Sequence, residues 1–135
     1  MAPAPIPADF DWVTARHLCS AQAFFERLRT GAKRNVATRQ ALHDALGDSG
    51  SVEFESTAPD EFTVRRFLGK SGAVRSISFE RTSHGVSVSG HGMHVELTGS
   101  LTLTDEGQCR LLVEGEPLAE WQVLKRGLDA LFFAI

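Results

Sequence analysis

The sequence predicts an α+β domain: two N-terminal helices, then a six-stranded antiparallel meander curved around a C-terminal helix. Three observations carry this reading. From Met93 to Leu103 the residues alternate without a slip, with Met93, Val95, Leu97, Gly99, Leu101 and Leu103 on one side. His94, Glu96, Thr98, Ser100 and Thr102 fall on the other, as in a strand with one dry and one wet face. The same period of two recurs in short runs from residue 50 onward, whereas both ends of the chain carry apolar residues at helical spacing.

The elements follow in order. Residues 1–10 hold prolines at 3, 5 and 7 and form an extended, mobile leader, so the domain proper spans 11–135. Asp11 can cap a first helix whose apolar stripe is Leu18, Ala21, Phe25 and Leu28, widened by Trp12 and Phe24. Thr30-Gly31 ends that helix, and a second runs from about Val36 to Leu46, with Asn35 as its cap and Gly47 as its stop. Six alternating runs succeed them, centred on Phe54, Val64, Ile77, Val88, Leu97 and Leu111. Phe67-Leu68 breaks the rhythm as a bulge or a strand end. Ala58-Pro59-Asp60, Gly69-Lys-Ser-Gly72, Ser83-His84-Gly85 and Asp105-Glu106-Gly107 have turn composition, and such short spacings favour hairpins. The last helix starts at Pro117 and turns Leu118, Trp121, Leu124, Leu128, Leu131, Phe132 and Ile135 inward. Gly127, costly inside a helix, marks a close approach of another element. Asp129 and the chain's end place negative charge where a helix dipole prefers cations, so packing must hold this terminus.

This order of elements resembles the helix-grip architecture of the Bet v 1 and START-like proteins without their opening strand. The resemblance implies a sheet wrapped around a long helix; a cystatin-like sheet around a helix is the other reading.

At 135 residues and 14.7 kDa, with 42% hydrophobic and 23% charged residues, the chain is ordinary for one globular domain. A net charge of −3 argues against general nucleic-acid binding, and no apolar run approaches the ~18 residues of a membrane span. The N-terminus lacks the basic start and apolar core of a secretory signal, which leaves a cytoplasmic location. Cys19 and Cys109 then read as free thiols used for packing.

Chemistry is sparse. His91 and His94 lie three apart, which sends them to opposite faces of a strand; His84 adds no third ligand at a fixed spacing, so no metal is assigned. Lys70-Ser71 lacks the upstream glycine of a phosphate-binding loop, position 64 being Val64. No cofactor fingerprint is present. Between residues 27 and 39 the charges are all positive, and Arg29, Lys33, Arg34 and Arg39 form a candidate anion patch at the start of the second helix. The hydroxyl-rich wet face suits either solvent or packing between subunits.

Two functions compete. The leading one is non-enzymatic binding of an apolar small molecule between the sheet and the last helix, lined by Phe54, Phe79, Val95, Leu97, Trp121 and Leu124. The alternative is a homo-oligomeric adaptor or structural subunit that associates through Phe132, Phe133 and Ile135 and the sheet, since two adjacent aromatics point about 100° apart on a helix. An enzyme is the weaker reading, with His91, His94 and Glu96 as its best polar groups.

Overall fold

The computed structural model describes residues 7–46, 50–68 and 72–133. The elements are α1 (Trp12–Leu18), α2 (Ala21–Leu46), β1 (Val52–Ala58), β2 (Glu61–Leu68), β3 (Ala73–Arg81), β4 (Gly85–His91), β5 (Glu96–Leu103), β6 (Cys109–Val113), β7 (Glu116–Leu118) and α3 (Glu120–Phe133). The strands form one seven-stranded sheet in sequential order, each antiparallel to its neighbour. The α+β meander read from the period-two pattern is therefore present, with one strand more than expected.

Alternation does the sorting. Cross-strand partners Phe62, Phe79, Val88 and Leu97 form one row on the dry face, and Phe54, Val64 and Ile77 form the next. The Phe62 and Phe79 rings stack with centroids 4.7 Å apart, and Phe25 of α2 sits 5.2 Å from Phe62. α2 contributes Phe24, Phe25, Leu28, Ala32 and Val36 to this core, and α3 contributes Val123, Leu124, Leu128, Leu131 and Phe132. On the wet face the hydroxyls pair across strands, Thr63 with Ser78 at 3.2 Å and Ser87 with Thr98 at 3.4 Å, and Arg65 ion-pairs with Glu55.

Several expectations need correction. The first helix does not run to Gly31: the break falls at Cys19-Ser20, and α2 continues unbroken from Ala21 to Leu46. Ser20 starts α2, its Oγ accepting from the Ala23 N–H at 3.1 Å. Asn35 is consequently inside the helix rather than its cap. Gly31 serves packing instead of termination, because a Cβ there would lie 2.7 Å from Leu124 Cδ1. Gly47 and the Asp48-Ser49 turn lie outside the described residues, as does the turn from Gly69 to Ser71.

The start of the last helix also differs. Val113 pairs with Glu116 across Glu114-Gly115, both at positive φ (49° and 81°), a two-residue hairpin turn that creates β7. Pro117 stands in this edge strand, where its missing N–H is tolerated, and α3 begins at Glu120. Leu118 is fully buried from β7, whereas Trp121 points outward and is 64% exposed. Met93 and Val95 belong to the β4–β5 connection, closed by the Gly90 N–H donating to Val95 O at 2.7 Å; they still pack against the core. Phe67-Leu68 is a strand end, and the irregularity in register falls in β1 between Glu55 and Ala58.

The cysteines are not free thiols. Cys19 and Cys109 form a disulfide with their Cα atoms 5.3 Å apart, because the α1–α2 corner is folded against the start of β6. Sequence separation hid this proximity.

Asp11 does cap α1. Its carboxylate accepts from the Thr14 hydroxyl at 2.6 Å and from the Thr14 N–H at 3.1 Å. These two bonds, the hydroxyl's first, hold its carboxyl below the usual aspartate range. A lowered folded-state pKa means the cap stabilises α1 above the unfolded value and is lost as pH falls through the folded one. Amide exchange of Ala15 and Arg16 is expected to accelerate across that acid window in the parent and to be fast throughout in Asp11→Ala. At Gly127 a Cβ would sit 2.7 Å from Phe79 Cζ, part of a rigid ring in the core, whereas the atom facing Gly31 is the Cδ1 of Leu124, the far end of a flexible side chain. Gly127→Ala should therefore destabilise by about 1–2 kcal/mol in urea unfolding despite its better helix propensity, and Gly31→Ala should be near neutral.

Candidate functional site

Two helices lie side by side on the sheet, and each has one stripe left over. On α2 it is Arg27, Gly31, Arg34, Thr38 and Leu42, spaced by four, three, four and four. On α3 it is Trp121, Leu124, Lys125, Leu128 and Phe132, with Phe133 at its end. Between these stripes runs a groove in two adjoining halves of about 330 and 530 Å³, which share Arg34, Asn35, Trp121 and Leu124. The contact of Leu124 with Gly31 forms the floor where the halves meet. Leu42, Trp121 and Phe133 rise from its sides and are 48, 64 and 65% exposed. At one end Arg27 Nε donates to Glu120 Oε1 at 2.5 Å. Arg34, Lys125 and Asp129 line the groove and are exposed, and none of the three ion-pairs within the chain among the described residues.

The far end of α3 is closed by charge. Its last turn holds no basic residue of its own. Arg39 Nε of α2 donates to Phe132 O at 2.9 Å, and Arg66 Nη1 of β2 donates to Leu131 O at 3.1 Å. Both arginines are buried, at 3 and 6% exposure. They satisfy carbonyls that a helix terminus leaves open and place positive charge at the negative end of its dipole. The terminus that looked electrostatically disfavoured is thus held by two cations brought from other elements, as well as by packing.

The candidate anion residues do not converge. Arg29 turns toward the β1–β2 hairpin, donating to Ser56 Oγ and to Pro59 O at 2.5 Å, with its guanidinium 5.4 Å from the Phe25 ring. Lys33 lies over Phe54 at 5.6 Å, Arg34 faces the groove, and Arg39 caps α3. Because α2 is continuous here, the N-terminus expected at Val36 is absent.

The residues chosen for an interior pocket separate as well. Phe79 and Leu124 are buried, and Phe54, Val95 and Leu97 pack partly buried against the same core. Trp121 is exposed, beside Leu124 on the stripe that lines the groove. Tight apposition of Gly127 on Phe79 leaves side chains, not a ligand space, between this part of α3 and the sheet. Of the interface candidates, Phe132 is buried and Phe133 exposed, which is how the fold resolves two aromatics that cannot share one direction; Ile135 lies outside the described residues.

His84 lies in the β3–β4 turn, His91 ends β4, and His94 stands in the β4–β5 connection. Among the described residues no group of three or more His, Cys, Asp or Glu side chains is arranged to hold a metal ion. No helix among them is long and apolar enough to cross a membrane.

Sequence reasoning missed Leu42 as a groove residue, missed Arg66 altogether and took Arg39 for part of an anion patch rather than a cap, although a signal for both arginines existed. Phe62, Val64 and Arg66 share one strand face, and Leu28, Ala32, Val36 and Arg39 share one helix stripe. A cation inside an apolar stripe announces a buried acceptor. Arg66→Leu and Arg39→Leu should each destabilise by about 1–3 kcal/mol in urea unfolding, because a buried carbonyl loses its donor. Lysine at either position should not restore the parent value, since its stem cannot reproduce the guanidinium geometry.

Comparison with protein-family models, with curated proteins and with solved structures finds no match to this chain.

Proposed function

We propose that this chain is a non-enzymatic subunit that associates with a second copy of itself through the α2–α3 groove. The observation that carries the proposal is the cluster of Leu42, Trp121 and Phe133, exposed together around a floor that is already apolar. Single exposed apolar residues are ordinary, but a contiguous patch holding a tryptophan and a phenylalanine is typical of binding surfaces. Charge favours a like partner. A two-fold interface sets a patch against its own image, so a patch of one sign would repel itself. This groove carries Arg34 and Lys125 together with Asp129, all without intrachain ion partners among the described residues.

A second reading keeps an apolar small molecule, moved from the sheet–helix interior to this groove. Its support is size, since both halves fall in the roughly 300–1,000 Å³ range of ligand sites. As for compartment, the Cys19–Cys109 disulfide favours an oxidising setting over the cytoplasm that the sequence suggested.

Light scattering coupled to chromatography, over a concentration series, tests self-association. A dimer is expected for the parent, with Trp121→Glu and Phe133→Asp shifted to monomer and their circular dichroism unchanged. Asp129→Lys should weaken the dimer about tenfold, and adding Lys125→Asp should restore it by reversing the cross-interface pair. A parent that stays monomeric at high concentration overturns the proposal. Saturable binding of an apolar fluorescent probe by such a monomer, lost in Trp121→Glu, would establish the second reading instead.

A further inference from the structure

We propose that the Cys19–Cys109 disulfide is a redox-reversible tether holding α1 to the sheet, whose reduction releases residues 7–18 while the rest of the domain stays folded. This inference is independent of the α2–α3 groove. α1 has no buried residue, and Trp12, Val13 and Leu18 are 61–64% exposed. Among the described residues, its capping and side-chain hydrogen bonds run within residues 7–19: Asp11 with Thr14, and Arg16 Nη1 with Cys19 O at 3.1 Å. The hydrophobic core is assembled from α2, α3 and the strands without any α1 side chain. Cys19 itself is 1% exposed, so the bridged corner is the one deeply anchored point next to α1. A seven-residue helix is too short to persist alone in water, so undocking implies melting.

The exchange chemistry has a direction. Cys109 is partly exposed and Cys19 is enclosed, so the attacking thiolate of a dithiol reductant reaches the Cys109 sulfur. The new S–S bond forms there, the Cys19–Cys109 bond breaks, and Cys19 departs as a thiolate. The second thiol of the reductant then displaces Cys109. Two electrons pass to the cysteine pair, two protons end on its thiols, and the reductant leaves as its own disulfide.

Hydrogen exchange on the full chain, isolated without reductant and then treated with dithiothreitol, tests the tether. Exchange in α1 should rise by about tenfold or more on reduction, while β2, β3 and β4 amides stay within about twofold. Cys109→Ser should match the reduced parent without added reductant, and reoxidation of the parent should restore protection. The proposal fails if α1 stays protected after reduction or is already unprotected when oxidised. It also fails if the sheet loses protection together with α1, or if alkylation finds both thiols free in protein isolated without reductant.

Discussion

The C-terminal helix can lie across the sheet because its open carbonyls are answered from elsewhere. Arg39 reaches Phe132 O from α2, and Arg66 reaches Leu131 O from β2. Without them, the last turn of α3 would bury acceptors beside its own dipole's negative end, with no cation of its own to compensate. The two bonds fasten one helix terminus to both of its supporting layers. The burial of α3's own Leu131 and Phe132 in the core depends on that terminus staying down.

Once α3 is fixed, the groove beside it follows. Gly127 lets α3 settle onto Phe79, and Gly31 lets α2 draw close to Leu124. Beside these close contacts the two helices leave an opening lined by Leu42, Trp121 and Phe133. Among the described residues, the same packing that fills the interior leaves open space only on the outside of this helix pair, in the groove. This is why an interior pocket gives way to an exposed groove as the candidate site, although Leu124 and Trp121 belong to both descriptions.

A different logic governs the N-terminal segment. α2 spans the sheet from its Cys19 end at β6 to the β1–β2 hairpin, where Arg29 is hydrogen-bonded, and Gln40 Oε1 accepts from the Val52 N–H at 3.1 Å farther along. It is fastened along its length by many small contacts, whereas α1 buries no side chain and touches the sheet at β5, next to the bridged corner. Local stability in proteins tracks buried apolar contact, and α1 has almost none.

The strands, their dry faces and the C-terminal helix were legible because alternation and helical spacing are properties of neighbouring residues. Asp11 as a cap was legible for the same reason, since its partner Thr14 is three residues away. What tertiary structure decided involves residues far apart in sequence. Gly31 reads locally as a helix stop, yet a leucine more than ninety residues later makes it a packing site. Cys19 and Cys109 are separated by 90 positions and meet only because α2 folds back over the meander. Trp121 carries no local mark of exposure; it shares a helix stripe with Leu124 and Leu128, and where α2 and the sheet lie against α3 decides that it stays exposed while they are buried. Period and caps are fixed by nearest neighbours, whereas pairing, burial and exposure are fixed by whichever distant element arrives alongside.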